Sequence, residues 1–388
     1  MAGHGVWQLN LMTKGSYSME NYIVCPSSKL FVLPALAIKS FLEDERNEKA
    51  FIIASGEAAQ IMERLGLGVN DDSCLYSTKS PHVNLVVVQH NSVGTWKRFE
   101  RLVTGFLDAN NEERLTVSFW PDGLGNASWG ERLDRKYLSE HGVKIKFREF
   151  YSFGFIHTST ARLTNKDAIQ LIDYKNLTPI FEENPCIRAI LDRASATLQG
   201  AAPICVLPFR PWCTAEFHGG VYNFGSLEGL ARIYSELVGE IENCNGGEVS
   251  IVFRPDDRFP AESRCVQDLL QTDRELIDLS GFYPQWLTLE PLLYELYRTG
   301  RAARTSMVCL DSTSFQAAPF ISDGRHPMQA VIGAKYQTVA AQNGGVDFMT
   351  SKLLGKVRDF YRRYHGFMEE GRVKRILRVE ESLFIVEA

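Results

Sequence analysis

The residue whose type and position most readily suggest chemistry is Asp122, in the sequence LTVSFWPDGLGN that begins at Leu115. The apolar residues before it fit a buried β-strand, and Pro121 ends that strand because proline cannot donate a hydrogen bond to a sheet. Asp122 is therefore predicted at the carboxyl end of a strand, the edge at which open α/β sheets bind ligands. A carboxylate held there can act as a general base. The alternative is a turn residue that caps the next helix, since Asp-Gly is common in turns.

A second group of polar residues follows strands in the carboxyl-terminal half of the chain. Arg254 and Pro255 come directly after the strand EVSIVF, and Ser312 and Thr313 follow the strand TSMVCL. A guanidinium and hydroxyls at neighbouring strand ends are suited to binding phosphate. Structural roles are the alternative: a salt bridge of Arg254 with the acidic residues after it, and an N-cap at the hydroxyls.

Further candidates stand at a helix start and in loops. Glu290 is predicted to begin a helix, where its carboxylate could accept hydrogen bonds from a ribose diol or simply complement the helix dipole. Ser27 and Ser28 follow the first predicted strand, in YIVCPSS, and are candidates for ligand contact. His218 and Arg210 follow the strand PICVL and are weaker candidates for the same cleft.

Several kinds of site find no support in the sequence. The chain has no G-x-G-x-x-G after the first strand of either half and no P-loop lysine motif, which argues against NAD- and ATP-dependent chemistry. The nearest acidic pair, Asp256-Asp257, follows Arg-Pro, an unusual setting for metal ligands. We therefore expect metal-independent chemistry that needs no cofactor beyond a co-substrate. The net charge of −5 gives no reason to expect nucleic-acid binding.

The elements that must position these residues alternate between strand and helix. Continuous apolar strands separated by helices indicate parallel sheets, and the alternation occurs twice along the chain. We predict an α/β fold with two Rossmann-like, doubly wound domains facing each other across a cleft, which is the GT-B architecture. The predicted boundaries are 1–164 for the first domain, 165–200 for a connection, 201–348 for the second domain, and 349–388 for a basic helical segment and tail.

Cysteine usage and charge indicate the compartment. The eight cysteines form no C-x-x-C pair, which argues against a zinc site or a disulfide framework and fits reduced thiols in the cytoplasm. The amino terminus lacks the pattern of a secretory signal, and its longest apolar run is too short to span a membrane.

The segment 350–379 carries nine basic and three acidic residues. It could lie on an anionic membrane surface or pack as a solvated helix across the two domains.

With these motifs in order, the chain resembles bacterial GT-B sialyltransferases and their polysialyl and lipooligosaccharide relatives. The resemblance covers most of the chain and rests on the short motifs YIVCPSS, FWPDG, FRPDD, LTLEP and DSTS. It implies inverting transfer of sialic acid, or a related nonulosonic acid, from a CMP-activated donor to a hydroxyl of a bacterial surface glycan. Transfer would occur at the cytoplasmic face of the inner membrane, with peripheral membrane contact left open.

The resemblance also implies a role for each motif. Asp122 would be the general base, Arg254 with Ser312 and Thr313 would stabilise the CMP phosphate, and Glu290 would hold the ribose. Ser27 and Ser28 would lie near the donor, with its carboxylate as the candidate group. Two departures concern the first acid of the FWPDG motif, replaced by Pro121, and the family histidine, replaced by Arg254. Arginine can neutralise phosphate but does not donate a proton near neutral pH.

These departures leave the donor open. Pseudaminic acid, legionaminic acid and Kdo are also carried by CMP, so each remains a candidate sugar. One alternative within enzymes is a GT-B transferase that uses a UDP- or GDP-sugar. An alternative from another class is a catalytically silent nucleotide-binding protein of a glycan pathway.

Overall fold

The secondary structure consists of two sheets with flanking helices. The computed structural model describes residues 21–76, 80, 82–89, 93–109, 115–121, 146–153, 169–201, 203–209, 226–270, 274–309, 328–332, 368–369, 371, 375–379 and 383–387. The strands are β1 Asn21–Pro26, β2 Lys49–Ile52, β3 Val83–Gln89, β4 Leu115–Pro121, β5 Lys146–Phe153, β6 Ile169–Ile172, β7 Ile204–Pro208, β8 Ser250–Arg254, β9 Leu276–Asp278, β10 Thr305–Cys309, β11 Met328–Ile332, β12 Arg375–Val379 and β13 Leu383–Glu387. The α-helices are α1 Val32–Ser40, α2 Gly56–Arg64, α3 Asp72–Tyr76, α4 Val93–Ala109, α5 Thr178–Glu183, α6 Pro185–Leu198, α7 Leu227–Asn245, α8 Pro260–Leu270 and α9 Leu289–Arg298.

The first sheet has six parallel strands in the order β2-β1-β3-β4-β5-β6. Its strands are apolar on both faces: Tyr22 and Val24 of β1 belong to one buried cluster, and Ile23 and Cys25 to another. Burial on both faces is what makes these strands read as continuous apolar runs in the sequence. The strand order reverses at β1, because β2 lies on one side of it and β3 on the other. That reversal is the position at which open α/β sheets bind ligands.

The second sheet has seven strands in the order β12-β13-β11-β10-β7-β8-β9. Five are parallel, and β13 and β12 add to the β11 edge in antiparallel pairing. The order reverses at β7, which lies between β8 and β10. The carboxyl ends of β7 and β8 are held in register, since the backbone N–H of Phe209 donates to the carbonyl of Arg254 at 2.9 Å.

A single apolar cluster connects the two sheets. It includes Val24 of β1, Phe181 of α5, Leu191 of α6, Leu292 of α9 and Met307 of β10. Separate clusters cover the outer faces, one beneath α4 for the first sheet and one beneath α7 and α8 for the second. Apolar packing on both faces of both sheets confirms the predicted α/β fold with two doubly wound sheets.

Two segments differ from the sequence-based prediction. β6 lies within the stretch 165–200 that was expected to be a connection, and it pairs with β5 at the edge of the first sheet. Its apolar sequence IQLI covers an edge that would otherwise leave backbone groups unpaired.

The second difference lies at the carboxyl terminus. A basic helical segment was expected over 349–388, but 375–379 and 383–387 form β12 and β13. The run LFIVE of β13 is rich in β-branched and aromatic residues, and its pairing with all of β11 outweighs the helical pattern suggested by the interspersed charges. Residues 350–367 lie outside the described part of the chain. Within the described part, none of the helices combines the length and apolar character needed to cross a bilayer.

Candidate functional site

The loop after β1 lies at the strand-order reversal of the first sheet. The N–H of Ser27 donates to the carbonyl of Val88 at 2.9 Å, which holds the ends of β1 and β3 together. Ser28 has extended backbone and occupies the N-cap position of the 3-10 turn Lys29–Phe31, yet its side chain makes no capping bond. The Oγ atoms of Ser27 and Ser28 are shielded from solvent and make no hydrogen bond. Buried polar atoms without partners are uncommon, so they mark positions where a ligand or water would be bound.

Arg98 of α4 lies against the base of this loop. Its Nη1 donates to the carbonyl of Pro26 at 2.7 Å, and its Nη2 lies 3.9 Å from Asp72. The Nε and Nη2 atoms of Arg98 are buried and make no hydrogen bond. Neighbouring Cys25 is not a nucleophile, because burial raises the pKa of its thiol to about 12 despite the opposing charge of Arg98. The loop therefore rests on a buried positive charge.

Arg254 stands at the end of β8 and holds a turn in place. Its Nη2 donates to the carbonyls of Gln285 at 3.1 Å and Leu287 at 2.6 Å. The guanidinium also lies over the ring of Tyr283, 5.6 Å from the ring centroid. Gln285 in turn donates a hydrogen bond from its Nε2 to the carbonyl of Pro255, the residue after Arg254. The loop after β8 and the turn before α9 are thus tied into one unit by side chain-to-backbone bonds.

Glu290 lies in the first turn of α9, close to this unit. Burial raises the pKa of Tyr283, with the negative charge of Glu290 adding to that shift and Arg254 opposing it. Tyr283 donates its hydroxyl proton to the carbonyl of Thr288, so the ring is fixed between Arg254 and the helix start. The Oε2 atom of Glu290 is buried and has no hydrogen-bond partner. It is an acceptor that a ligand hydroxyl could use.

The two acidic residues after Pro255 have different partners. Asp256 accepts from Arg258 Nε at 2.9 Å and Nη2 at 2.7 Å, and its backbone N–H donates to Ser263 Oγ at 3.0 Å. Asp257 instead pairs with Lys29, with 3.3 Å between Nζ and Oδ2. The two carboxylates thus have different partners, and no group of His, Cys, Asp and Glu suited to a metal occurs among the residues described.

The contact between Lys29 and Asp257 joins the two sheets at their carboxyl edges. Lys29 follows β1 of the first sheet, and Asp257 follows β8 of the second. Beside Asp257 is a cavity of about 480 Å³, within the range for small-molecule sites. The residues that line it include Pro255, Asp257, Asp268, Asp278, Ser280 and Gln285. The loops after β1 and β8 are therefore adjacent to each other, and the loop after β8 borders a cavity.

Half of the predicted site residues can be placed. Ser27, Ser28, Arg254, Pro255 and Glu290 are described, and the last three lie in the connected unit around Tyr283. The predicted residues outside the described part of the chain are Asp122, Arg210, His218, Ser312 and Thr313. The strands that lead to them are in place, since β4 ends at Pro121, β7 at Pro208 and β10 at Cys309.

Sequence reasoning missed three residues of this region. Lys29 directly follows the predicted Ser27-Ser28 pair, so the signal was a cation next to two hydroxyls at a strand end. Asp257 was considered only as a metal ligand or as a partner of Arg254. Tyr283 looked like an ordinary aromatic residue, and no sequence signal distinguishes it, because its role depends on the fold around Arg254.

Comparisons with known proteins give only a general likeness. No protein-family model matches the chain, and no curated protein matches it. Similar solved structures include a sialyltransferase from Photobacterium damsela, with 11% identity, a TM-score of 0.42, and coverage of 78% of this chain and 72% of that chain. Anabaena HepE in complex with UDP and glucose has 8% identity, a TM-score of 0.43, and coverage of 87% and 95%. A family 9 glycosyl transferase from Veillonella parvula has 10% identity, a TM-score of 0.40, and coverage of 90% and 98%. TM-scores this low identify no family.

Proposed function

We propose that the protein is a glycosyltransferase that takes a sugar from a nucleotide-activated donor. The observation that carries this proposal is the 3.3 Å contact between Lys29 and Asp257, which brings the carboxyl edges of two doubly wound sheets together. Lys29 follows β1, at which the first sheet reverses its strand order, and Asp257 follows β8, the neighbour of the reversing strand β7. Ligands bind at the carboxyl edge beside such reversals. The rate of transfer between two substrates rises most when both are held in the right geometry, here one from each side of a shared site.

The donor in this proposal is CMP-linked sialic acid or a related nonulosonic acid, as the sequence motifs imply. Glu290 would bind the ribose, which agrees with the unpartnered buried Oε2 atom at its carboxylate. Arg254, Ser312 and Thr313 would stabilise the phosphate of the leaving CMP, with Pro255 shaping the loop beneath it. His218 and Arg210 remain additional candidates for the same cleft.

In the proposed reaction, Asp122 accepts the proton of an acceptor hydroxyl while that oxygen attacks the anomeric carbon. The bond from this carbon to the phosphate oxygen of CMP breaks, and its electron pair leaves on CMP, so the configuration inverts. CMP departs as a phosphate monoester whose negative charge needs stabilisation more than protonation, which an arginine can supply. The acceptor would be a bacterial surface glycan at the cytoplasmic face of the inner membrane. The candidate membrane contact is the part of the basic segment 350–379 that precedes β12.

The test is release of CMP from CMP-sialic acid, with and without acceptors that end in galactose or sialic acid. Wild type should release CMP faster with an acceptor, and Asp122→Asn should reduce that release by about 10²- to 10⁴-fold. Arg254→Ala should reduce it as well, and Arg193→Ala, an exposed substitution on α6, is the matched control.

Other outcomes separate the alternatives. Thermal stabilisation by CMP without release would assign another CMP-linked sugar acid as the donor. Preference for UDP or GDP over CMP would contradict the CMP donor and favour a UDP- or GDP-sugar transferase. Nucleotide binding with no turnover of any donor, and no effect of Asp122→Asn, would favour the catalytically silent protein.

A further inference from the structure

We propose that Lys29 binds the carboxylate of the sugar-acid donor, and that the carboxylate of Asp257 takes the place of the donor carboxylate at Lys29 Nζ while no donor is bound. The proposal rests on the function proposed above and assigns a specificity-determining residue to it. The carboxylate of Asp257 lies 3.3 Å from Lys29 Nζ. Asp257 therefore supplies the same chemical group as the donor would, a carboxylate oxygen.

The surroundings of Lys29 favour an anionic ligand. Ser27 and Ser28 precede it, and their hydroxyls make no hydrogen bond although their Oγ atoms are shielded from solvent. Each hydroxyl could donate to a carboxylate oxygen, and Lys29 could donate to the same group. Arg98 adds a positive charge at the base of the loop, partly balanced by Asp72.

The pairing of Lys29 with Asp257 is suited to exchange. The side chains of Lys29 and Asp257 are 23% and 45% exposed, so water can replace either partner. Asp256 provides the contrast: it is buried and bound by two guanidinium nitrogens of Arg258 and by a backbone N–H. When Lys29 no longer contacts it, the carboxylate of Asp257 stays partly exposed to water. It also stays close enough to Arg258 for the two opposite charges to attract each other. Exposed pairs of this kind alter an equilibrium by about fivefold at most.

Asp257 also borders the cavity of about 480 Å³ at the carboxyl edge of the second sheet. Lys29 is not part of the cavity lining, which holds Arg264 beside the carboxylates of Asp256, Asp257, Asp268 and Asp278. The anionic group of the donor is therefore assigned to Lys29 and not to the cavity: a sugar acid would displace Asp257 and take its place at Lys29, whereas a neutral sugar would gain nothing from the exchange. The arrangement selects for donors that carry a carboxylate.

The test compares equilibrium affinities for CMP-sialic acid and for CMP, measured by calorimetry without acceptor. Asp257→Asn should tighten binding of CMP-sialic acid by about two- to fivefold, because Lys29 is released. Lys29→Met, which removes the charge and keeps the length, should weaken it by about tenfold or more. In the Lys29→Met background, Asp257→Asn should have no effect, and neither substitution should change the affinity for CMP.

The control is Asp192→Asn, which removes an exposed pair within one helix and should leave both affinities unchanged. Two results would overturn the assignment of Lys29 but not the proposed function. One is an equal effect of Lys29→Met on the affinities for CMP and CMP-sialic acid, and the other is an unchanged affinity of Lys29→Met for CMP-sialic acid. A wild-type protein that binds neither ligand would overturn the proposed function and this assignment with it.

Discussion

At the scale of single residues, the most informative contrast is between two serines at helical N-termini. Ser226 caps α7 by accepting a hydrogen bond from the N–H of Gly229 at 3.2 Å. Ser28 occupies the equivalent position before the turn Lys29–Phe31, but its hydroxyl makes no bond. The first hydroxyl caps a helix, whereas the second is buried without a hydrogen-bond partner.

This contrast predicts opposite effects of the same substitution. Ser226→Ala should lower the free energy of unfolding by about 1 kcal/mol, because a cap is lost. Ser28→Ala should leave stability unchanged or raise it by up to about 1 kcal/mol, because a desolvated hydroxyl without a partner is removed. Urea denaturation of both variants beside wild type is the measurement. Equal destabilisation by the two substitutions would contradict a ligand-binding role for Ser28.

The sequence identified candidate residues at strand ends but could not identify their partners. Arg254 and Glu290 were predicted to share a site, and the fold places both beside Tyr283. The contacts of Arg254 with the carbonyls of Gln285 and Leu287 were not predictable, because they depend on where the chain turns before α9. The sequence motif predicts that Arg254 contacts the phosphate of a ligand. In the structure, its guanidinium holds the turn before α9.

At the scale of elements, α6 and α9 are joined by a buried ionic group. Glu295 of α9 is 1% exposed, accepts from Arg298 at 2.9 Å, and lies 2.8 Å from Arg188 of α6. α6 is itself fixed at its start by Asn184, whose Oδ1 accepts from the N–H groups of Cys186 and Ile187. Because α6 leads from the first sheet to the second, these contacts stabilise the connection between them.

Removing the charge of Glu295 should therefore weaken this connection. Glu295→Gln leaves two guanidinium groups facing a neutral amide and should cost about 3 kcal/mol of unfolding free energy. Asp192→Asn, which affects only an exposed pair of Arg188 within α6, should cost about 0.5 kcal/mol or less. Chemical denaturation of the two variants gives the comparison, and a similar small loss in both would show that Glu295 does not stabilise the α6–α9 contact.

Most elements of both sheets were predictable because their strands are apolar on both faces and their helices are amphipathic. The start of α9 agrees with the sequence to within one residue, because Glu290 was predicted to begin a helix and α9 begins at Leu289. The carboxyl-terminal strands β12 and β13 were not predictable, because their basic residues also fit a helix and only the open edge of β11 decides between the two.

At the scale of the whole molecule, the two sheets meet in ways that no local pattern encodes. A shared apolar cluster joins them, and Asn184 at the start of α6 donates from Nδ2 to the carbonyl of Leu65 at 2.7 Å, which fixes the connecting helix to the first half of the chain. The ion pair of Lys29 and Asp257 lies at the edge where both strand orders reverse. The sequence predicted two sheets facing each other, but not which loops would come into contact.

We propose that one ligand binds between the loop after β1 and the loop after β8. Amide hydrogen exchange in the presence and absence of CMP-sialic acid tests it most directly, because it reports on both sheets in one measurement. We predict slower exchange in peptides that cover 26–31 and in peptides that cover 254–258, with no change in α6. Protection confined to one sheet, or located away from both loops, would contradict a ligand site between the two loops.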